Sequence, residues 1–486
     1  MGPQIKYTKL FIDNKWADSK SGKTFDTYCP HDGSVIAKVA EGDKADIDLA
    51  VAAARRAFHR NSEWRLMDAS QRGELLRKFI DLVERDALHL AELESYNNGM
   101  VLSTAKAFMA SAVASGRYLA SCADKIQGDT IPSDGEVFTY TLKQPVGVAG
   151  LILPWNGPLF IFINKVCTAL AAGCTVVVKP AEQTPLTALA LAALLVEAGF
   201  PKGVVNVVNG FGETAGAALT HHPDVGKISF TGSREVGKLI QQAAAASNLK
   251  RVTLELGGKS PLIIMDDADL NIAVPYAANA VFFHQGQVCV AASRLFVQSS
   301  IYDKFVEAAV KHAKSIKIGN PTEPTTQQGP QIDELMMNKV LAYIETGKKE
   351  GAKLLTGGRR VGNTGYYIEP TVFVDVDDNM IIAKEEIFGP VQSILKFDTL
   401  EEVIDRANAT VFGLASGIFT TNVNTALQFS KHVEAGVVWV NTYFAMGSQA
   451  PFGGFKESGI GRENGIDSLQ EYLEVKTVTI ALPKKL

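Results

Sequence analysis

Residues 146–182 read VGVAGLILPWNGPLFIFINKVCTALAAGCTVVVKPAE. Two short apolar runs, Val148–Leu153 and Thr175–Lys179, bracket a longer apolar stretch that ends at Ala172. The short runs have the length and β-branched content of buried strands, and the stretch between them has the length of a helix. Strand, helix and strand in this order predict a parallel pair joined by a crossover helix.

The pattern repeats downstream. Thr184 reads as an N-cap with Pro185 at the first helical position, and that helix stops around Gly199-Phe200-Pro201. Val204–Val208 is a third strand. Lys227–Phe230 is a fourth, running through Thr231-Gly232-Ser233 into a helix towards Ala246, and Val252–Leu256 is a fifth. Alternating strands and helices predict a parallel sheet covered on both faces, which binds ligands at the carboxyl ends of its strands.

Upstream, helices are predicted near Asp46–Phe58 and from Ser70 towards Asn97. Ala123–Lys143 reads as an extended excursion with turns at Gly128 and Pro132–Gly135. After Gly257-Gly258 a second α/β region begins, with strands at Arg294–Gln298, Thr371–Val376, Gln392–Phe397, Ser416–Thr420 and Gly436–Asn441. The last segment, Glu471–Ala481, alternates charged and β-branched residues like an exposed strand that needs a partner, which a second subunit would supply.

Composition bounds the function. The chain has 486 residues, enough for two or three domains, and its formal charge of −4 comes from interspersed acids and bases. That argues against a nucleic-acid face or a polybasic membrane patch and for a small neutral partner. No apolar run spans a bilayer, and the first residues lack a signal-peptide core, so a cytoplasmic protein is expected unless a presequence was removed. The five cysteines, 29, 122, 167, 174 and 289, form no CxxC pair, and no histidine cluster has metal-ligand spacing. Reduced thiols are expected, with no metal site.

Several residues invite a chemical reading beside a plainer one. Gly232 and Ser233 feed a helix N-terminus that can hold a phosphate, or are an ordinary cap. Lys179 and Glu182 follow a strand end where a carboxylate can accept from ribose hydroxyls, or are solvated loop charges. Cys289 lies between two valines, as core cysteines do. Glu255 sits in an apolar strand beside a glycine turn, where a raised pKa suits a general base, or where backbone amides bind it. Asn156 can donate to an oxyanion or simply turn the chain.

Taken together, these residues resemble the NAD(P)-dependent aldehyde dehydrogenase superfamily. The resemblance spans essentially the whole chain and is closest to the class with the cytosolic, mitochondrial and retinal animal enzymes. It is carried by Pro154-Trp-Asn156, Lys179-Pro-Ala-Glu182, Phe230-Thr-Gly-Ser233, Leu254-Glu-Leu-Gly-Gly-Lys-Ser-Pro261, Gly286-Gln-Val-Cys289, Glu385-Glu-Ile-Phe-Gly-Pro390 and Pro451-Phe-Gly-Gly-Phe-Lys-Glu-Ser-Gly459. It implies an α/β fold with a parallel-sheet NAD-binding domain (1–122 and 146–257), an α/β catalytic domain (258–457) and a small β oligomerisation domain (123–145 and 467–486). A homo-oligomer is implied, a tetramer rather than a dimer.

The resemblance also implies roles. Cys289 is the nucleophile, Glu255 the general base, and Asn156 with the Cys289 N–H the oxyanion hole. Lys179 and Glu182 hold the adenosine ribose of NAD, and Trp155 and Ser233 the pyrophosphate. Glu386 holds the nicotinamide ribose and Phe388 packs near the nicotinamide. Gly212, Gly232 and Leu256 complete the cofactor contacts.

Gly157, Asn164, Phe283, Met446 and Phe452 are assigned to the substrate approach. Relatives commonly carry bulky aromatics after Asn156, so Gly157 and Asn164 predict an open approach that admits bulky aldehydes. Against this, Phe160, Phe283, Phe444 or Met446 would fill the space. Valines flank Cys289 where relatives often have a further cysteine, which leaves the mechanism intact. Two rival readings are a CoA-acylating semialdehyde dehydrogenase, against which Glu255 counts, and a silent crystallin-like or binding member, which loss of Cys289 or Glu255 would mark.

Overall fold

A computed structural model of the chain describes residues 2–483, so residue 1 and residues 484–486 of the terminal segment lie outside the described residues. The five predicted strands of the first α/β region form adjacent parallel strands in the order Arg251–Glu255, Lys227–Thr231, Val148–Ile152, Thr175–Lys179, Val205–Val207. Three antiparallel edge strands extend this sheet: Gly459–Ile460 beside Arg251–Glu255, and Leu10–Ile12 with Lys15–Ala17 beyond Val205–Val207. All five parallel strands end on one edge. The chain leaves Val148–Ile152 in one direction and returns on its other side at Lys227–Thr231, which is the switch point where such sheets open a crevice.

Pro185 opens the helix Pro185–Ala198 behind the N-cap Thr184, and Gly199 ends it in the left-handed conformation at φ 98°. Thr184 caps by backbone position alone, because its buried hydroxyl has no partner among the described residues. The helix Leu102–Cys122 went unforeseen. Its alanines, serines and Gly116 mute the apolar period but let it approach its neighbours closely, since a β-carbon on Gly116 would strike Ile80.

The second sheet has seven strands: Lys353–Thr356, Thr371–Val374, Val391–Phe397, Arg294–Gln298, Pro261–Ile264, Ala415–Phe419 and Val437–Val440, in that order, all parallel except the first. Pro261–Ile264 lies in its middle and was not expected there. Its proline, which lacks an N–H, stands at the first strand position where the ladder tolerates it.

The terminal strand Leu473–Ala481 does not wait for another subunit. It pairs antiparallel along its whole length with Val137–Pro145 of the same chain, and Thr130–Ile131 completes a three-stranded sheet. One edge of the terminal strand stays unpaired among the described residues. No helix among them is long and apolar enough to cross a membrane.

Candidate active site

The loop that delivers Cys289 is wound in an uncommon way. His284, Gln285 and Gly286 are consecutive left-handed residues, at φ 48°, 57° and 73°. For the two that are not glycine this conformation costs roughly 1–3 kcal/mol each. Anchoring bonds offset it. Gln285 Nε2 donates to the carbonyls of Gly99 (3.1 Å) and Pro330 (2.8 Å), and Gln287 Oε1 accepts from the Ile332 N–H at 3.0 Å. The loop leaves Cys289 partly accessible, whereas the other four cysteines are buried.

Three segments converge on this thiol. Asn156, just past the strand Val148–Ile152, donates its side-chain amide to the Gln287 carbonyl at 2.9 Å. A primary amide has two N–H donors, so one remains for a ligand. The Gly257-Gly258 turn packs where only glycine fits: a β-carbon on Gly258 would strike the Cys289 carbonyl, and one on Gly257 the Glu386 carboxylate. The Gly258 N–H donates to Glu386 Oε1 at 3.1 Å. Phe388 is held left-handed at φ 60°, its ring edge-on to Trp155 with centroids 5.3 Å apart.

Glu255 closes the strand Arg251–Glu255 and is 5% exposed. Neither carboxylate oxygen has a hydrogen-bond partner among the described residues. Burial, reinforced by the charge of Glu463, holds this carboxyl well above its usual range, while Lys165 and Arg462 pull it down. Lys165 pairs with Glu463 and donates to the Ser229 hydroxyl at 2.8 Å. Burial, then Glu255 and Glu386, also push the Cys289 thiol up. Burial lifts Glu386 to about 7. The resting site therefore favours a neutral thiol beside a carboxyl that becomes a base only above its raised pKa.

The rest of the sheet edge forms a polar crevice. Lys179, 3% exposed, pairs with Glu182 at 2.9 Å, which offsets part of that carboxylate's charge in place. Ser233 caps the helix Arg234–Ala246, accepting from the Val236 N–H at 3.3 Å, so its hydroxyl already serves the helix. Gly232 packs on the ring of Phe230, Gly212 borders open space, and Leu256 lies against Gly237, whose β-carbon would meet it at 2.8 Å. Buried polar atoms at this edge, Thr231 Oγ1 and the Asn209 amide, have no partner among the described residues. Unpaired polar atoms and glycine-made clearances along one crevice suit an extended polar ligand such as a dinucleotide.

The aldehyde dehydrogenase family model matches residues 16–478. The chain belongs to the aldehyde dehydrogenase family. It is 58% identical over 483 residues to aldehyde dehydrogenase 1A1 of Gallus gallus, covering 99% of this chain and 95% of that one. It is equally 58% identical to aldehyde dehydrogenase, cytosolic 1, of Mus musculus, covering 99% and 96%. Among solved structures it superposes on the NAD+ complex of a Bacillus cereus aldehyde dehydrogenase with TM-score 0.97 and 47% identity, over 98% and 97% of the two chains.

In this aldehyde dehydrogenase the residues assigned to the substrate approach divide. Phe283 and Phe452 are half-buried, Phe452 packing against the same apolar core as Cys289. Met446 is 51% exposed. Asn164 does not open the approach. It is 3% exposed, accepts from the Ser115 hydroxyl at 3.2 Å, and lines a small polar cavity with Lys165, Ser229 and Glu463. Gly157 is not bordered by empty space either, because a β-carbon there lies 3.7 Å from both Phe108 and Ile161. Phe108, Lys165 and Glu463 escaped sequence reasoning. Each reaches the site from a separate segment with no motif of its own.

Proposed function

We propose that this aldehyde dehydrogenase oxidises its substrate by covalent catalysis at Cys289, with NAD as cofactor and the carboxylic acid as product. The observation that carries the reading is the convergence on one crevice of an accessible thiol, an unpartnered carboxyl and a free amide donor. Lys179, Glu182, Ser233, Trp155, Gly212, Gly232, Leu256, Glu386 and Phe388 would hold NAD, which supplies the hydride acceptor.

The chemistry of the chain follows. The Cys289 thiol gives up its proton, and the thiolate adds to the aldehyde carbon. The Asn156 amide and the Cys289 N–H stabilise the oxyanion, each such donor being worth about 3 kcal/mol of barrier. Once the carbon-bound hydrogen has left with its electron pair, Cys289 carries a thioester. Glu255 takes a proton from water, the hydroxide adds to the acyl carbon, and the thiolate leaves with the acid formed. A panel of aldehydes assayed for NADH formation by purified protein tests this; no NADH with any aldehyde would end it.

We assign residues 1–122 and 146–257 to cofactor binding, 258–457 to the catalytic thiol, and 123–145 and 467–486 to oligomerisation. A tetramer is supported by the open edge of the terminal strand and by the exposed Phe138, Leu142 and Val475 around it. A cytosolic setting matches the name of the Mus musculus relative. Bulky aldehydes are the proposed substrates, on the aromatic lining described below.

The pH dependence of turnover carries a signed expectation. Glu255 works as a base only when ionised, and the Glu463 charge keeps it protonated to higher pH. Glu463→Gln removes that like charge and leaves Lys165 unpaired, and both changes favour ionised Glu255. The acid limb of the kcat profile is expected to move to lower pH. A limb that stayed in place or moved upward would show that Glu463 does not act on Glu255.

A further inference from the structure

Asn156 is followed by a residue without a side chain, yet that flank is not bare. Phe108, on the helix Leu102–Cys122, brings its Cε1 within 3.7 Å of where a β-carbon on Gly157 would stand. Its ring stacks on Phe283, with centroids 5.9 Å apart and planes at 21°, and meets Phe160 edge-on at 6.1 Å. Phe283 in turn contacts Phe444 at 5.2 Å.

All four rings are half-buried. They are tied to the reacting groups from several sides. Phe283 opens the loop that ends in Cys289, Phe160 lies on the helix that begins just after Gly157, and Phe444 packs against the same apolar core as Cys289. A run of contacting rings that stays partly open is a binding wall more readily than a core, since core rings close over one another.

We propose that Phe108 is a specificity-determining residue: it supplies the aromatic wall that Gly157 cannot, and makes the site favour flat aromatic or conjugated aldehydes over acetaldehyde. The inference rests on the reading of Cys289 as the nucleophile. The wall offers ring faces and edges to a planar substrate, and acetaldehyde is too small to reach more than one of them. It also inverts the expected effect of the glycine. Phe108 stands at van der Waals distance from where a Gly157 β-carbon would lie, so the approach is walled on that flank although residue 157 is small.

The test is kcat/KM for acetaldehyde, hexanal and benzaldehyde in the wild type and in Phe108→Ala, Phe108→Leu, Gly157→Phe and the Phe108→Ala/Gly157→Phe double variant. The wild type is expected to prefer benzaldehyde. Phe108→Ala should lose about tenfold on benzaldehyde and less than about twofold on acetaldehyde. Phe108→Leu, which keeps apolar bulk without a ring, should lose the same preference while holding the helix packing. Gly157→Phe alone should impair benzaldehyde through collision with Phe108, and the double variant should recover it. Equal losses on all three aldehydes, or no recovery in the double variant, would overturn the assignment of Phe108. No NADH from any aldehyde in the wild type would instead overturn the Cys289 reading beneath it.

Discussion

Cys289→Ala is expected to abolish NADH formation from aldehyde while NAD affinity changes by less than about twofold. Among the described residues Cys289 is the one cysteine that is not buried, and the proposed acyl species forms on it. The proposed cofactor contacts come instead from Glu386 at the Gly257-Gly258 turn and from the sheet edge, and none of them uses the Cys289 side chain. The change removes one sulfur from a partly accessible position, so folding should survive it. Steady-state NADH formation and NAD titration by quenching of tryptophan fluorescence measure the two quantities on one sample. Turnover near the wild-type rate would remove Cys289 from the reaction, and loss of NAD binding would mean that the thiol loop shapes the cofactor crevice.

Glu255→Gln is expected to split the reaction in two. In the proposed mechanism transfer of the hydrogen precedes hydrolysis, and hydrolysis is the step that needs a base. Rapid mixing with aldehyde should give a burst of NADH close to one equivalent per site, followed by steady turnover reduced by a factor on the order of 10²–10⁴. The substitution is close to isosteric and removes a carboxyl that has no hydrogen-bond partner among the described residues, so no ion pair among them is broken. The raised thiol gives the experiment a second use. Burial and the Glu255 and Glu386 charges hold the Cys289 proton on. If Glu255 is also the base that removes it, the burst slows as well. A full burst at the wild-type rate assigns Glu255 to hydrolysis alone.

Much of this architecture was legible because apolar runs advertise themselves. The five parallel strands of the first sheet are five short runs between glycine and proline signals, and their carboxyl ends carry Asn156, Lys179, Glu182, Ser233 and Glu255 as expected from the order of the motifs. Cys289 and Glu386 were readable only through their resemblance to known motifs, since a cysteine between valines looks like core.

What escaped has a physical cause in each instance. The helix Leu102–Cys122 trades apolar amplitude for small residues that allow close packing, so Phe108 had no helix to stand on and no face to point from. Pro261–Ile264 is a buried parallel strand of four residues, too short for a period to show. Asn164 read as a small residue beside the substrate because Gly157 lies seven positions earlier on one helical face. The face turns instead towards Ser115, and its amide is spent there. The Lys165–Glu463 pair joins residues far apart in sequence, and no local pattern couples them. The terminal strand was recognised as an edge in need of a partner, but its alternation cannot say whether that partner is the same chain. Val137–Pro145 supplies it in cis.

The most direct measurement of the covalent reading is mass spectrometry of Glu255→Gln quenched in acid after one turnover with NAD and benzaldehyde. One benzoyl group per subunit is expected, carried on Cys289 within the tryptic peptide that ends at Arg294, in equal amount to the NADH released. An unmodified protein despite a full equivalent of NADH, or an acyl group on any of the four buried cysteines, would contradict it.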